Sequence, residues 1–419
     1  MRDQDPASGR AERRLSTRET AELLGVKPET VYAYVSRGQL SSRRAPGGRG
    51  STFDAQEVAA LARRNRREGG VSTGAGGELS VRTRITLIDQ DRYFFRGVDA
   101  TELATRHSYE EVAEWLWTGR MRPGVTFAAP EQAVAAARRA VRSLPEHTSP
   151  VDRLRVAAIA AAAEDPMRFD LSEEAVLGTA RVLIPTLVAA LPQRPSAARP
   201  EDGPLARRLW SRLTGYAADE ASLRVLDTAL ALLADHDLAA STLAVRVAAS
   251  ARAHPYAAVS TGLGVIEGPL HGAASGLAHR LLLDVLEQGT AVPVIADELR
   301  AGRRIPGLGH RLYPGEDPRA RVLFALLEQV PRAESALLAA RDIVATTARH
   351  TPLHANVDLA LAVFTVATGM PATAGETIFA VARTAGWIAH ALEEYGERPL
   401  RMRPSGHYVG PPPPQPVPE

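Results

Sequence analysis

Two histidines, an arginine and an aspartate lie in short motifs in the second half of this 419-residue chain. A carboxylate such as that of Asp358 can take a weakly acidic proton from carbon when imidazoles such as His271 and His310 stabilise the developing charge. Arg319 can hold a second, anionic substrate. The set therefore predicts a site that forms an enolate and holds it against an anion. The motifs are Gly268-Pro269-Leu270-His271-Gly272, Gly307-Leu308-Gly309-His310-Arg311, Asp317-Pro318-Arg319-Ala320 and Asn356-Val357-Asp358.

Each of these residues, taken singly, also has a structural explanation. Asp358 stands where an aspartate can cap a helix, and His271 stands where a proline and two glycines mark a tight backbone. The glycine-rich run 307–309 can present backbone N–H groups to an anion or an adenine ring, although this pattern alone is weak evidence. His236, taken alone, reads as a surface or capping histidine. The residues are informative only as a set.

The order and spacing of the motifs closely resemble the citrate synthase family, over about residues 79–410. Asp358 stands 48 residues after His310 and 25 before Arg383, as the family pattern requires. The run from Ala382 to His390 matches a further signature of the family.

The resemblance implies condensation of acetyl-CoA with oxaloacetate and hydrolysis of the product to citrate and CoA. Asp358 would be the general base, His271 would stabilise the enol of the thioester, and His310 would hydrogen-bond the ketone. No metal or other cofactor is implied, and the active form would be a homodimer. The residues implied to bind oxaloacetate are His236, Arg319, Arg383 and, from the neighbouring subunit, Arg403. Those implied to contact CoA are Gly307, Leu308 and Gly309.

Two departures from the family pattern border the expected cleft. Residues 272–276 read Gly-Ala-Ala-Ser-Gly where Gly-Gly-Ala-Asn-Glu is usual, and Ala355 stands where proline commonly precedes Asn356. No catalytic group is lost. The sequence does not decide which acyl-CoA is the substrate, and propionyl-CoA, giving 2-methylcitrate, is an alternative. Arg398 and Arg401, close to Arg403, are interpreted as surface charges.

The first 70 residues differ in charge from the rest of the chain. They hold 14 Arg+Lys and 9 Asp+Glu, a net charge of +5, whereas the whole chain has +2. A basic N-terminal segment followed by a slightly acidic remainder of the chain indicates a polyanionic partner for the N-terminal segment. The predicted elements are a capping box at Ser16–Glu19, a helix ending at Gly25, a second helix from Pro28 to Gly38, a basic wing at Ser41–Gly50 and an amphipathic helix from about Asp54 to Arg67.

This pattern resembles the winged helix-turn-helix domains of the MerR and excisionase type, over residues 14–67. It adds the hypothesis of a transcriptional regulator that uses the catalytic unit as a metabolite sensor, although the intact catalytic groups argue against pure sensing. The residues predicted to contact double-stranded DNA are Thr30, Tyr32, Arg37, Arg43, Arg44 and Arg49.

The composition predicts a mainly α-helical protein of more than one domain. Apolar residues make up 45% of the chain and aromatic residues 5%, and abundant alanine and leucine favour helix over strand. By resemblance, a two-domain, all-helical catalytic unit follows the winged helix-turn-helix. The residues from Val81 to Ile88 predict a short strand. The predicted segments are 14–67 for the N-terminal domain, 68–78 for a flexible linker, 79–271 with 371–410 for the large domain, 272–370 for the small domain and 411–419 for a proline-rich tail.

Several classes of protein are excluded or disfavoured. The chain has no cysteine, which excludes disulfides, thiolate metal sites and a cysteine nucleophile. Its first residues lack the apolar core of a signal peptide, and no apolar run approaches the roughly 18 residues needed to span a membrane. We therefore expect a cytoplasmic protein.

Overall fold

Two compact units make up the chain, Met1–Arg82 and Thr83–Glu419. The computed structural model describes residues 14–24, 26, 28–36, 39–44, 50–59, 61, 72–73, 79–195, 203–268, 271–272, 274–404, 408–412 and 414–415. Predictions made for Gly25, Arg37, Gly38 and Arg49, and for most of the linker at 68–78, lie outside these residues.

The N-terminal unit combines two short helices with a small antiparallel sheet. Strand β3 lies at the centre of this sheet, with β1 and β2 on either side. Residues 55–59 and 61 are also helical, and the remainder of the helix predicted from 54 to 67 lies outside the described residues. The elements are β1 (Arg14–Ser16), α1 (Thr17–Leu24), α2 (Pro28–Ser36), β2 (Ser42–Arg44), β3 (Ser51–Asp54), β4 (Ser72–Thr73) and β5 (Leu79–Ser80), of which the last two pair with each other.

The capping box predicted at the start of α1 is confirmed. The N–H of Ser16 donates to Glu19 Oε2 at 2.7 Å, and the N–H of Glu19 donates to Ser16 Oγ at 3.3 Å. Pro28 opens α2, as predicted. A small core closes the unit, because both helices and the sheet bury apolar side chains against one another; its fully buried members include Leu15, Val31, Leu40, Phe53 and Val58.

The second unit begins with a three-stranded antiparallel meander of β6 (Thr86–Asp89), β7 (Arg92–Phe95) and β8 (Val98–Asp99). The strand predicted from Val81 to Ile88 is therefore wrong in its start, since residues 81–85 are not strand. The turn at Gln90, whose φ is +53°, sets the register of the hairpin and pairs Thr86 with Phe95.

Helices form the rest of this unit, so the prediction of a mainly α protein is confirmed. A 3₁₀ turn (Pro331–Ala333) precedes α15. The helices are α3 (Ala100–Arg106), α4 (Tyr109–Thr118), α5 (Glu131–Arg142), α6 (Pro150–Ala163), α7 (Glu173–Ala190), α8 (Leu205–Leu213), α9 (Glu220–Leu233), α10 (Ala240–Ser250), α11 (Pro255–Ile266), α12 (Ala274–Gln288), α13 (Ala291–Arg300), α14 (Pro318–Leu327), α15 (Glu334–Ala348), α16 (Val357–Ala367) and α17 (Ala374–Tyr395).

Two helices, α16 and α17, organise the packing of this unit. Helix α17 is buried along most of its 22 residues and packs against α4, α6, α7, α9, α10 and α11. A helix that is apolar on all sides can be stable only when other elements cover it. Gly262 permits the approach of α11, because a Cβ there would lie 2.7 Å from the Trp387 ring. Helix α16 is covered in the same way by α12, α14 and α15.

None of the helices in the part of the chain that the structure describes is long and apolar enough to cross a membrane. Thr83–Glu419 forms one compact unit, so the predicted division at residues 272 and 370 stays a prediction.

Candidate active site

Six segments bring the predicted catalytic residues and three of the predicted oxaloacetate-binding residues into one region, and one of these segments is the connection between α11 and α12 that carries His271. His236 follows α9, His310 lies in the loop before α14, Arg319 lies in the first turn of α14, Asp358 lies in the first turn of α16, and Arg383 lies within α17. Helix starts are well suited to this purpose because their free N–H groups and short caps fix the side chains of the first turn.

Two histidines and a tyrosine form the centre of the site. His236 Nε2 lies 2.8 Å from the Tyr313 hydroxyl. The rings of His236 and His310 meet edge to face with centroids 5.3 Å apart, and the rings of His310 and Tyr313 lie 4.8 Å apart. The structure therefore brings together the two histidines that the sequence separates by more than 70 positions.

Both ring nitrogens of His310 have a close neighbour. The N–H of Leu312 donates to His310 Nδ1 at 3.1 Å. Arg319 Nη2 lies 3.2 Å from that Nε2. An arginine can only donate, so both ring nitrogens face a donor and these two contacts do not fix the tautomer of His310.

Arg319 is fixed by Asp317, the cap of α14. Nε and Nη2 of Arg319 donate to the two carboxylate oxygens of Asp317 at 3.0 and 2.8 Å. Both side chains are buried. The carboxylate holds the guanidinium in one plane, and its charge, together with the Tyr313 and Tyr93 hydroxyls, raises the pKa of Arg319 against the opposing effect of burial.

The glycine-rich loop supports the start of α16. The N–H of Gly309 donates to the His354 carbonyl at 2.8 Å, and the N–H of Asn356 donates to the Gly307 carbonyl at 2.9 Å. Gly307 has φ +83°, and a Cβ there would lie 2.8 Å from Leu359 Cβ. These glycines therefore have a packing reason of their own, and the predicted contact of residues 307–309 with CoA stays a prediction.

Asp358 is not the cap of α16. Asn356 is the cap, since its Oδ1 accepts the N–H of Asp358 at 3.0 Å. Among the described residues, no side chain or backbone group hydrogen-bonds the Asp358 carboxylate. Burial raises its pKa to about 6, against the lowering effect of Arg319. The carboxylate is therefore open to a substrate and more basic than an ordinary aspartate.

His271 is oriented by a chain of two hydrogen bonds. Trp387 Nε1–H donates to Ser241 Oγ at 3.3 Å, and Ser241 Oγ lies 2.8 Å from His271 Nε2. We assign the serine hydroxyl as the donor to Nε2, which leaves the ring hydrogen on Nδ1, while the serine oxygen accepts from the tryptophan. His271 then presents an N–H donor on the side away from Ser241.

Arg383 is buried and only partly bonded. Its Nε donates to the Leu233 carbonyl at 2.9 Å, and its guanidinium lies over the Phe379 ring at 4.7 Å. Nη1 and Nη2 are both buried without a hydrogen-bond partner. Burial, partly offset by Asp235, lowers the pKa of Arg383 to about 10, so the group is still a cation at neutral pH.

The three histidines of the site are neutral at pH 7. Burial lowers the pKa of His271 to about 4, with Arg383 adding to the effect, and burial and Arg319 lower the pKa of His310 to about 4. The pKa of His236 lies well below its usual value, first because of burial and then because of both arginines. Neutral imidazoles beside two guanidiniums can donate hydrogen bonds without adding positive charge.

The segment after α17 contains one wrong prediction. Arg401 is not a surface charge: its side chain is 7% exposed and donates from Nε and Nη2 to the two oxygens of buried Glu394 at 2.7 and 2.6 Å. The sequence pattern around it is polar, but the carboxylate on α17 draws it inward. Arg403, two residues on, is exposed, so its predicted place in a neighbouring subunit's site stays a prediction.

Three residues close to the predicted site received no role of their own from the sequence. Asp317 stands inside a recognised motif, which was a usable indication. The sequence around Ser241 and Asp235 gives no indication of their contacts, because their partners Trp387 and His390 lie 146 and 155 residues away.

In the N-terminal unit, the predicted DNA-contacting residues lie on two elements. Thr30 and Tyr32 are on α2, and Tyr32 is 49% exposed. Arg43 and Arg44 are exposed on β2. Arg37 and Arg49 lie outside the described residues. Within the described ranges, no group of three or more His, Cys, Asp or Glu side chains is arranged to hold a metal ion.

Comparison with known proteins identifies relatives for both units. A family model described as citrate synthase, C-terminal domain, matches residues 74–405, and a helix-turn-helix domain model matches residues 14–66. The citrate synthase of Haloferax volcanii is 33% identical over 82% of this chain and 96% of its own length. A 2-methylcitrate synthase of Mycobacterium tuberculosis is 27% identical over 75% of this chain and 84% of its own. The crystal structure of citrate synthase from Thermotoga maritima shares 25% identity and a TM-score of 0.64, over 82% of this chain and 96% of that one.

Proposed function

The chain belongs to the citrate synthase family of acyl-transferring enzymes, and we propose that it condenses acetyl-CoA with oxaloacetate and hydrolyses citryl-CoA to citrate and CoA. The observation that carries the proposal is the state of Arg383. A buried guanidinium with both terminal nitrogens unpartnered is costly, because it has lost water without gaining an acceptor. A substrate carboxylate would satisfy both nitrogens at once.

Oxaloacetate is the substrate that fits this arrangement. Its two carboxylates match two guanidiniums, Arg383 and Arg319. Its ketone oxygen would accept from Arg319 Nη2–H and from His310 in the tautomer that carries its hydrogen on Nε2. His236, neutral and held by Tyr313 at 2.8 Å, adds a further polar group. Two cations in a buried site also favour a dianion over a neutral ketone.

The acyl substrate loses a proton to Asp358. In the proposed step, the carboxylate takes one hydrogen from the methyl carbon of acetyl-CoA while His271 Nδ1–H donates to the thioester oxygen. The elevated pKa of Asp358, about 6, makes it a stronger base than an ordinary aspartate, although far weaker than the carbanion it must produce. Stabilisation of the enol by His271 at the same moment is therefore required.

Carbon–carbon bond formation and hydrolysis complete the reaction. The enol carbon attacks the ketone carbon of oxaloacetate, whose oxygen is polarised by His310. The proton that the ketone oxygen gains matches the one that Asp358 takes from the methyl carbon, so no net proton is consumed and Asp358 ends the step as a carboxylate. Water then cleaves the thioester of citryl-CoA, and citrate and CoA leave. The chemistry of each step uses only side chains, water and the two substrates, so we propose no metal and no further cofactor.

Release of the CoA thiol tests the proposal directly. We expect thiol to appear from acetyl-CoA only when oxaloacetate is present, and the chain has no cysteine to react with a thiol reagent. The same assay with propionyl-CoA distinguishes 2-methylcitrate formation, the activity named for one relative. A higher kcat/KM for propionyl-CoA would assign that variant, and no oxaloacetate-dependent release from either thioester would refute condensation.

We propose that the active form is a homodimer in which Arg403 completes the neighbouring subunit's site. One feature supports a self-association surface: Ile159, Met167 and Phe169 are each more than 60% exposed. Apolar exposure of this kind commonly marks an interface. The Arg403→Ala protein should remain dimeric by light scattering but bind oxaloacetate more weakly, whereas a fully active Arg403→Ala protein would contradict the role.

A second candidate function is DNA binding by the N-terminal unit, favoured by exposed Tyr32 on α2 and exposed Arg43 and Arg44 on β2. Two such units on a dimer suit a palindromic site. Affinity for duplex DNA should fall steeply with salt and with Arg43→Ala and Arg44→Ala together. Arg18→Ala, which removes an exposed cation paired to Glu22 on α1, is the control. Affinity that does not change with salt would contradict DNA binding.

A further inference from the structure

The two arginines of the site are balanced in different ways. Asp317 pairs with Arg319 through two direct hydrogen bonds at 3.0 and 2.8 Å. Arg383 has no such pair: among the described residues, no carboxylate forms an ion pair with it, and its terminal nitrogens are unbonded. Yet Asp235, fully buried beside it, is close enough to raise the pKa of Arg383 against the effect of burial.

Other contacts hold the Asp235 carboxylate. Thr86 Oγ1–H donates to Oδ2 at 2.5 Å, and His390 Nε2 lies 3.3 Å from the same oxygen. Oδ1 lies 3.3 Å from His390 Nε2 but has no hydrogen-bond partner among the described residues. The carboxylate packs directly on α17, because a Cβ on Gly386 would lie 2.5 Å from Oδ1. Gly386 stands one turn after Arg383 and one turn before His390, so Asp235 and both side chains meet on one face of this helix.

Arg246 sets the orientation of His390 through the ring nitrogen that does not face Asp235. Arg246 Nη1 lies 2.9 Å from His390 Nδ1. An arginine can only donate, so Nδ1 accepts and the hydrogen of a neutral ring is on Nε2, towards Asp235. Arg246 is in turn held by Glu393 and Glu394 at 2.8 and 3.2 Å. The ring is therefore locked as a donor to Asp235.

We propose that Thr86 and His390 are positioning residues that hold Asp235 away from Arg383 and thereby leave both terminal nitrogens of Arg383 open to a substrate carboxylate. A free carboxylate and guanidinium at this depth attract strongly and would pair as Asp317 and Arg319 do. Such a pair would compete with the substrate. In its present position, Asp235 still offsets the charge of Arg383 without forming hydrogen bonds to the terminal nitrogens of Arg383.

The inference rests on the proposed function in that the carboxylate is taken to be oxaloacetate. The test compares His390→Leu, which removes the donor, with His390→Gln, whose amide can donate in its place, and with Thr86→Val. Loss of a hydrogen bond to a charged group should raise the Kd for oxaloacetate about tenfold in the leucine and valine variants. His390→Gln should restore most of the affinity, and KM for acetyl-CoA should change less than about twofold in all three.

A matched control and a double variant separate positioning from stability. His279 is another buried histidine, 2.8 Å from Thr365 Oγ1, and His279→Leu should destabilise the protein without weakening oxaloacetate binding. Asp235→Asn removes the competing carboxylate, so adding His390→Leu to Asp235→Asn should cost no further affinity.

Calorimetric titration with oxaloacetate alone keeps this inference separate from the condensation reaction. Turnover in the parent protein, with unchanged oxaloacetate affinity in folded His390→Leu, would overturn the inference and leave the function standing. Oxaloacetate binding without CoA release, weakened by His390→Leu and restored by His390→Gln, would support the inference and refute the function. Additive losses in the double variant, or no binding by the parent protein, would overturn the inference.

Discussion

Asp317 holds Arg319 through both carboxylate oxygens, and the same carboxylate accepts the N–H of Val357 at 2.9 Å. One buried side chain therefore fixes an arginine on α14 and the first turn of α16, in which Asp358 lies. The anion-binding group and the proposed base are positioned by a common support. A displacement of the Asp317 side chain would therefore move both Arg319 and Asp358.

Replacement of Asp317 should therefore affect stability and catalysis together. Because Asp317→Asn leaves the buried Arg319 charge uncompensated, we expect the free energy of unfolding to fall by about 3 kcal/mol. We also expect kcat/KM for oxaloacetate to fall about a hundredfold, since small misplacements of substrate groups are costly. Denaturant titration and steady-state kinetics measure the two effects. Glu328→Gln, which breaks the exposed pair with Arg341, should cost less than about 1 kcal/mol. Equal losses in the two variants would contradict this account.

Asp358→Asn should remove turnover but not folding. Loss of a general base is expected to lower kcat about a thousandfold, with oxaloacetate binding retained by calorimetry. The pKa of Asp358 is raised in the folded state, so its ionised form destabilises the protein at neutral pH, and the variant should unfold at or above the parent temperature. Asp219→Ala, which removes the cap of α9, should show the reverse pattern: lower stability by about 1 kcal/mol and unchanged kcat. Unchanged turnover in folded Asp358→Asn would refute the assignment of the base.

The pH dependence of kcat should report Asp358. The carboxylate must be ionised to accept a proton, and its pKa is about 6. The rate should therefore fall tenfold per pH unit below about pH 6, whereas an aspartate with an ordinary pKa near 4 would keep its full rate to about pH 5. His271 and His310, whose pKa values are lowered to about 4, should add no further step between about pH 5 and 8. A flat profile over that range would contradict the raised pKa.

Ser241→Ala should impair the step that depends on His271. The substitution removes the donor to Nε2, so the ring no longer has a fixed hydrogen on Nδ1, and Trp387 loses its acceptor. We expect kcat to fall about tenfold with little change in KM for oxaloacetate, since the lost interaction acts on the enol. Ser250→Ala is the matched control, because Ser250 lies on the same helix and its hydroxyl donates to the Val247 carbonyl at 2.9 Å. Loss of kcat in that control to the same extent would indicate a general effect on α10.

Much of the local structure was predictable because near neighbours in sequence determine it. Ser16 and Glu19 form their capping box from a spacing of three, and Pro28 opens its helix. The motifs around His271, His310 and Asp358 also identified the family, since each is a run of a few residues with a definite spacing. Even so, the strand predicted from Val81 to Ile88 starts only at Thr86, because pairing with β7 sets its register.

What the sequence by itself determined about this protein is its mainly helical class, its N-terminal helix-turn-helix and its set of reactive groups. Only the tertiary structure decided the charge state and freedom of those groups. Arg319 is paired and Arg383 is open, Arg401 is buried on Glu394, and Asp358 has a raised pKa. These properties depend on burial and on contacts such as that between Thr86 and Asp235, 149 residues apart. Local sequence patterns carry no information on such contacts, because packing alone brings the segments together. Packing also removes the water that would otherwise screen the charges and keep the pKa values near their ordinary values.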